Sequence, residues 1–286
     1  MGTITGRLAP TPSGRLHLGN VCAAAGAWLS VRQRGGRLLL RIEDVDAGRA
    51  RTDIADAIRR DMTWLGLDWD AETPPQSARD YAPVLARLAA HTYHCACTRA
   101  VSRDAGGACV AGCRDRAVAE GAVRFALPRE VVTIVDRARG RSEVDLASLP
   151  DPILRRRDGC FTYALAVVAD DIADGVTEVA RGADLADQSA VQAVLWRALG
   201  AEPPAWLHTP LILGADGKKL SKSHRSAAVG DLRDLGWTPD RIWRVVLPWL
   251  GLAPHAAATD GPAPLHHALA TFEPARIPRG PFTWVP

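Results

Sequence analysis

Two short apolar runs joined by one long helix within the first 42 residues leave this chain little choice of architecture. Arg7 and Leu8 end a short strand, and Ala9-Pro10-Thr11-Pro12-Ser13-Gly14 breaks it with proline and glycine. A helix starts near His17 and continues through Val31, where Gln33-Arg34-Gly35-Gly36 supplies a stop. Arg37-Leu38-Leu39-Leu40-Arg41-Ile42 then suits a buried parallel strand. Strand, helix, strand is a βαβ unit, and open sheets built from such units bind ligands at the carboxyl ends of their strands.

Two features sit at those ends. The first turn of the helix presents unpaired N–H groups and the positive end of the macrodipole, which favour polyphosphate. His17 and Asn20, three apart, add two side-chain donors on one face, and Asn20 is the only asparagine in the chain. Gly19, with no side chain, lets a nucleotide lie against the helix backbone. The alternative is a loop followed by a buried Ala-rich helix. The second feature is Glu43-Asp44-Val45-Asp46, three carboxylates where the second strand ends. A solvated acidic turn is the alternative there.

At 286 residues, 47% hydrophobic and 23% charged, the chain buries a sizeable core as one large domain or two smaller ones. A net charge of +3 permits a nucleic-acid partner without requiring one. Met1-Gly2-Thr3-Ile4-Thr5-Gly6 lacks the apolar core of a signal peptide, and no apolar run approaches the ~20 residues of a membrane span. The expectation is a cytoplasmic protein, monomeric and without a membrane partner. Of six cysteines, Cys95, Cys97, Cys109 and Cys113 fall in one stretch, and in a reducing compartment that favours metal over disulfides. Two close pairs separated by a Gly-containing loop fold back onto one closed tetrahedral site. This predicts a single structural Zn2+, with His94 as a neighbour; unligated cysteines are the alternative.

Elsewhere the sequence predicts a helix over 52–65 capped by Thr52, a helix over 80–92, and β-like runs at 123–127 and 131–135. Residues 71–150 read as an insertion between two halves of a sheet that resumes at Ile153. Phe161-Thr162-Tyr163-Ala164-Leu165-Ala166-Val167-Val168 is a second apolar run followed by carboxylates, Asp170 and Asp171. A strand from Thr177 leads to a helix over 185–199, with Arg181 near its entrance and able to fork onto a carboxylate. The last regular element is a helix over 240–250, entered by Thr238-Pro239, and a loosely packed tail is expected beyond Gly251.

Lysine occurs only at positions 218, 219 and 222, within Gly214-Ala215-Asp216-Gly217-Lys218-Lys219-Leu220-Ser221-Lys222-Ser223. Arginine serves everywhere else, which points to a need for compact, mobile ammonium groups able to close over phosphate; a solvated basic turn is the alternative.

Pro10-Thr11-Pro12-Ser13-Gly14-x-Leu16-His17-Leu18-Gly19-Asn20, Arg41-Ile42-Glu43-Asp44-Val45-Asp46 and Lys219-Leu220-Ser221-Lys222-Ser223 together resemble the class I aminoacyl-tRNA synthetases of the glutamate branch. The likeness runs from Arg7 to about Leu250. The cysteine quartet and Arg157-Asp158-Gly159-x-Phe161-x-Tyr163…Arg181-Gly182-Ala183-Asp184-Leu185 are similar to the glutamyl-Q tRNA(Asp) synthetase family, truncated paralogues of glutamyl-tRNA synthetase. The resemblance implies a Rossmann-like parallel sheet in two halves, 1–70 and 151–215. It also implies a zinc-bearing subdomain over 71–150, and a KLSKS loop, helical region and tail over 216–286. It implies ATP, L-glutamate and queuosine-bearing tRNA(Asp) as partners, with Mg2+ accompanying ATP. Arg7, Leu8, Ala9, Pro10 and Thr11 with Glu43, Tyr163 and Arg181 would hold glutamate. His17, Gly19, Asn20, Lys219, Ser221 and Lys222 would serve ATP, with His17, Asn20 and Lys222 acting in catalysis. Two positions depart from the pattern: Cys109 stands where relatives often have Tyr, and Ala164 where they often carry a polar residue.

Two rivals remain, beside a weaker third, a nucleotidyltransferase, whose His-x-Gly-His loop would explain His17 to Asn20 but not Glu43, Arg181 or the cysteines. One is a truncated glutamyl-tRNA synthetase that charges a tRNA 3′ end. The other is a catalytically silent, zinc-bearing RNA-binding module.

Overall fold

A computed structural model of the chain describes residues 2–46, 48, 51–116, 118–220, 228–253 and 264–285. β1 (Thr5–Leu8), α1 (Leu18–Arg32) and β2 (Arg37–Leu40) form the expected crossover, with Gly6 opposite Leu38 and Leu8 opposite Leu40 in parallel register. After α2 (Thr52–Trp64), the two-residue β3 (Ala71–Glu72) extends this sheet beside β2. The chain then makes α3 (Ala82–Arg87), β4 (Thr92–Cys95), α4 (Arg99–Asp104), β5 (Ala122–Phe125), the hairpin β6 (Val131–Asp136) and β7 (Gly140–Asp145), and β8 (Ile153–Arg155). α5 (Tyr163–Ala173), β9 (Glu178–Gly182), α6 (Gln188–Ala198) and β10 (Ala205–Thr209) complete the second half. β11 (Ile212–Leu213), α7 (Val229–Asp234), α8 (Pro239–Trp249), α9 (Pro264–Ala268) and β12 (Phe282–Thr283) follow.

The second half-sheet runs β7-β6-β10-β9, and it meets the first along β1. Thr177 N–H donates to the Thr5 carbonyl at 2.8 Å, and Thr5 N–H donates to Thr177 Oγ1 at 2.9 Å. The carboxyl ends of β1, β2, β9 and β10 therefore open on one side. α1 lies over this seam and is apolar nearly all round, as a helix enclosed by sheet on one face and helix on the other must be. Glycine permits the approach. A Cβ on Gly26 would meet Thr209 Cγ2 of β10 at 2.5 Å, and one on Gly6 would meet Val31 Cγ2 of α1 at the same distance.

Several expectations need correction. Arg51, not Thr52, is the N-cap of α2; Thr52 is the first helical residue, and Arg51 instead holds Asp53 at 2.7 Å. The helix over 80–92 stops at Arg87, because Thr92 and Tyr93 are drawn into β4 opposite Phe125 and Arg124. The apolar run from Phe161, which belongs to no sheet strand, is helix α5 from Tyr163, and its Leu165, Ala166, Val167 and Val168 pack on α6 and the second half-sheet. Within 71–150, β3 belongs to the first half-sheet, and the β6–β7 hairpin joins the second through Trp206 opposite Asp136. Among the described residues, only β4, β5 and β8 make a separate antiparallel sheet. Finally, 264–285 is not loosely packed, since Leu265, Phe272, Ile277 and Trp284 are buried in the core around α1 and α8. Among the described residues, no helix is long and apolar enough to cross a membrane.

Candidate active site

His17 is the N-cap of α1, in extended conformation. Its Nδ1 accepts the Asn20 N–H at 3.3 Å while Asn20 Oδ1 accepts the His17 N–H at 3.2 Å, a reciprocal capping box. These two side chains are thus a cap as well as a pair of donors. Because Nδ1 is an acceptor, the neutral ring carries its proton on Nε2, and Asn20 keeps its amide N–H groups for other partners. A Cβ on Gly19 would lie 3.1 Å from this imidazole, so the glycine also protects the cap's geometry. α7 abuts the same corner: Val229 N–H donates to the Leu16 carbonyl at 2.8 Å, and Arg15 pairs with Asp231.

The strand ends below carry buried charge. Arg7, at 3% exposure, donates from Nε to Asp171 at 3.1 Å and from Nη1 to the Ala180 carbonyl at 3.2 Å. Arg41, wholly buried, reaches Asp171 at 2.6 Å, Asp174 at 3.2 Å and Glu43 at 3.4 Å. Burial raises the Glu43 carboxyl above its ordinary value, and Arg41 and Arg7 offset only part of that. At Asp171 burial acts in the same direction, but the two guanidiniums outweigh it and hold the group below the usual range. Asp170 accepts from Gln76 at 2.8 Å and from Tyr81 at 3.0 Å. Glu43 stands out as a candidate from sequence alone and Arg41 does not, although so many carboxylates at adjacent strand and helix ends require buried cations.

Arg181 is the penultimate residue of β9 and is held on four sides. Nε donates to His208 Nε2 at 3.1 Å, Nη1 to Gln192 Oε1 at 2.8 Å, and Nη2 to the Leu185 carbonyl at 3.0 Å and Ser189 Oγ at 2.9 Å. Its guanidinium also lies over Trp206, 5.0 Å from the ring centroid. His208, Gln192, Ser189 and Trp206 were all missed at the sequence level. Tyr163 opens α5; burial and the Glu43 charge push its phenol up to about 12, which keeps it a neutral donor.

One cavity of about 420 Å³ joins these parts. Arg7, Leu8, Ala9, Pro10, Thr11, His17, Gly19, Asn20, Glu43, Tyr163, Arg181 and Lys219 all line it. Ala164 does not line it, and packs instead against the core beside α5. Lys219 pairs with Asp184 at the rim, and a bridge between Leu213 and Lys219 closes the turn that follows β11. Ser221 and Lys222 lie outside the described residues.

The cysteines gather elsewhere. The sulfurs of Cys95, Cys97, Cys109 and Cys113 all lie within 4.8 Å of one another, with Cys97 and Cys109 3.7 Å apart. Tetrahedral zinc with Zn–S near 2.3 Å requires sulfurs about 3.8 Å apart, so the quartet fits a metal ion. Backbone N–H groups of Ala96 and Cys113 point at Cys113 and Cys109 sulfurs, each at 3.4 Å, as thiolate ligands require. His94 is not among the converging groups.

A family model for tRNA synthetases class I (E and Q), catalytic domain, matches residues 3–101 and 113–258. The chain is 44% identical to glutamyl-Q tRNA(Asp) synthetase of Nitratidesulfovibrio vulgaris, covering 82% of each chain. It is 42% identical to the protein of that name from Xanthomonas campestris, over 96% of this chain and 93% of the other. Among solved structures, glutamate-tRNA synthetase from Elizabethkingia anophelis superposes with a TM-score of 0.79 at 23% identity. That match spans 99% of this chain and 68% of the other, and shows a shared fold.

Proposed function

The chain belongs to the glutamyl-Q tRNA(Asp) synthetase family of the class I (E and Q) tRNA synthetases, and from that premise we propose that it activates L-glutamate with ATP and transfers it to queuosine in tRNA(Asp). The observation that carries the reading is the single cavity in which a capped helix N-terminus faces buried Arg7, Glu43 and Arg181 and half-buried Tyr163. The helix start suits a polyphosphate, and the buried charges below suit an amino acid bearing both signs.

In the first step the α-carboxylate of glutamate attacks the α-phosphorus of ATP, and pyrophosphate leaves. The chain contributes position and charge: α1 N–H groups, His17 Nε2–H and Asn20 at the phosphates, together with the side chains of Lys219, Ser221 and Lys222. Mg2+ bound to the phosphates neutralises part of their charge. Glu43 receives the α-ammonium, while Arg7, Tyr163 and Arg181 receive carboxylate oxygens. The Leu8-Ala9-Pro10-Thr11 segment supplies backbone and hydroxyl contacts along the substrate. In the second step a hydroxyl of queuosine attacks the glutamyl carbonyl and AMP leaves. Zn2+ on Cys95, Cys97, Cys109 and Cys113 has a structural role, since the quartet lines no part of the cavity.

The test is incorporation of labelled glutamate into purified tRNA(Asp) with and without queuosine, using tRNA from which the 3′-terminal adenosine has been removed. Label retained on the anticodon fragment of queuosine-bearing tRNA is the expected result. Label that requires the terminal adenosine, and appears on tRNA(Glu) alone, would establish 3′-end charging instead.

A further inference from the structure

Behind Arg181 stands a buried pair that the proposed chemistry does not use. His208, on β10, is 2% exposed; its Nδ1 lies 2.5 Å from Asp136 Oδ2 and its Nε2 accepts the Arg181 Nε–H at 3.1 Å. The roles of the ring nitrogens follow from the partners. A carboxylate only accepts, so Nδ1 carries the proton, and a guanidinium only donates, so Nε2 is a lone pair. Asp136 is fixed in turn, because its Oδ1 accepts the N–H groups of Ala138 and Arg139, each at 2.8 Å, in the β6–β7 turn. Ser189 Oγ, 3.4 Å from Nε2, and Trp206, stacked on the imidazole, complete the surroundings. Arg139 is the remaining charged group that acts on the ring.

We infer that Asp136 and His208 are positioning residues: Asp136 selects the imidazole tautomer whose lone pair aims the Arg181 guanidinium into the cavity, and so sets the affinity for glutamate. The inference rests on the reading of Arg181 as a glutamate contact. The reverse tautomer would set Nε2–H against the Arg181 Nε–H, two donors face to face, and the guanidinium would have to turn.

Two substitutions separate this role from mere packing. Asp136→Asn keeps the shape and the two turn hydrogen bonds but places an amide N–H against Nδ1, which reverses the tautomer. His208→Gln places a carbonyl oxygen near the Nε2 position and keeps an acceptor for Arg181. The measurement is glutamate-dependent ATP–pyrophosphate exchange, read as KM for glutamate and for ATP, with ¹⁵N shifts of His208 recorded on the full chain. For Asp136→Asn the glutamate KM should rise about tenfold or more with the ATP KM unchanged, the value for one lost charge-assisted hydrogen bond. His208→Gln should stay within about threefold of the parent. The ¹⁵N spectrum of the parent should show protonated Nδ1, reversed in Asp136→Asn. An unchanged glutamate KM in a tautomer-reversed Asp136→Asn would overturn the inference, as would KM values for glutamate and ATP that rise together. A parent protein with no glutamate-dependent exchange would instead overturn the assignment of the substrate.

Discussion

Arg181 commits four of its five N–H groups to His208, Gln192, Leu185 and Ser189. A guanidinium so anchored meets a carboxylate at one fixed angle, and lysine could not replace it, because an ammonium cannot satisfy four acceptors spread over a plane. Arg181→Leu should lower kcat/KM for glutamate in pyrophosphate exchange by about 100-fold, the upper end for a lost charge-assisted contact. Normal activation of glutamate by that variant would remove Arg181 from the pocket. The position was legible in the sequence as an arginine at a helix entrance, but its partners were not. They come from α6, the turn that precedes α6, and β10, and nothing in local spacing places His208 beside Arg181. His208 also carries a stability signature. Burial, aided by the Arg181 charge, holds its pKa below the ordinary 6.5. Below 6.5 the unfolded chain takes up a proton that the folded chain refuses, so stability falls with pH until folded His208 itself protonates. Asp136 and Asp171, held below 3.8, extend the loss at more acid pH. Thermal midpoints measured between pH 7 and 5 should therefore fall less steeply for His208→Gln than for the parent.

Helix α1 shows how far a single element can be read from sequence. Its start, its stop and its burial all follow from local chemistry, since His17 and Asn20 cap it and an Ala-rich body fits under a sheet seam. What the sequence hid is the tightness of its packing at Gly26. Replacing Gly26 by Ala gains roughly 1 kcal/mol of helix propensity but drives a Cβ to 2.5 Å from Thr209 Cγ2, and overpacking of that kind costs about 1–3 kcal/mol. Urea unfolding should show net destabilisation. α5 resisted the reading for a different reason: eight consecutive residues from Phe161 that are mostly apolar carry no period, so strand and helix are indistinguishable until packing decides. In the cysteine loop, buried Arg124 ties the Gly107 carbonyl, Ser102 Oγ and the Asp151 carbonyl together. The cysteine quartet and Arg124 thus both tie down this one loop. Protein purified without chelator should contain about one zinc per chain, the stoichiometry of a closed four-cysteine site. On stripping the metal, trypsin should cut first at Arg99, Arg103, Arg114 or Arg116, ahead of any site in the main sheet. Cleavage that begins elsewhere would count against a structural metal.

At the scale of the whole molecule, the parallel sheet was legible because a βαβ unit admits few alternatives. The membership of its outer strands was not. The β6–β7 hairpin sits in a stretch that looks like an insertion, yet it pairs with β10 from a point some seventy positions later in the sequence. Such pairings are set by the global fold, and no local pattern announces them. The same holds for β12, which lies parallel to β11 through Phe282 N–H to the Leu211 carbonyl at 2.9 Å and Trp284 N–H to the Leu213 carbonyl at 2.7 Å. Removing residues 280–286 should lower the thermal midpoint and weaken ATP more than glutamate, because β11 leads directly into the turn bearing Lys219. Equal loss for both substrates would speak against that coupling. Trp284 docks edge-on to Trp237 and Trp249, with centroids 5.8 and 6.4 Å away. Indoles this close pass excitation among themselves before they emit, so their shared fluorescence is depolarised while β12 is seated. If β12 lifts away, the emission of Trp284 shifts to the red and its polarisation recovers, so the chain carries its own optical gauge of whether β12 is paired with β11.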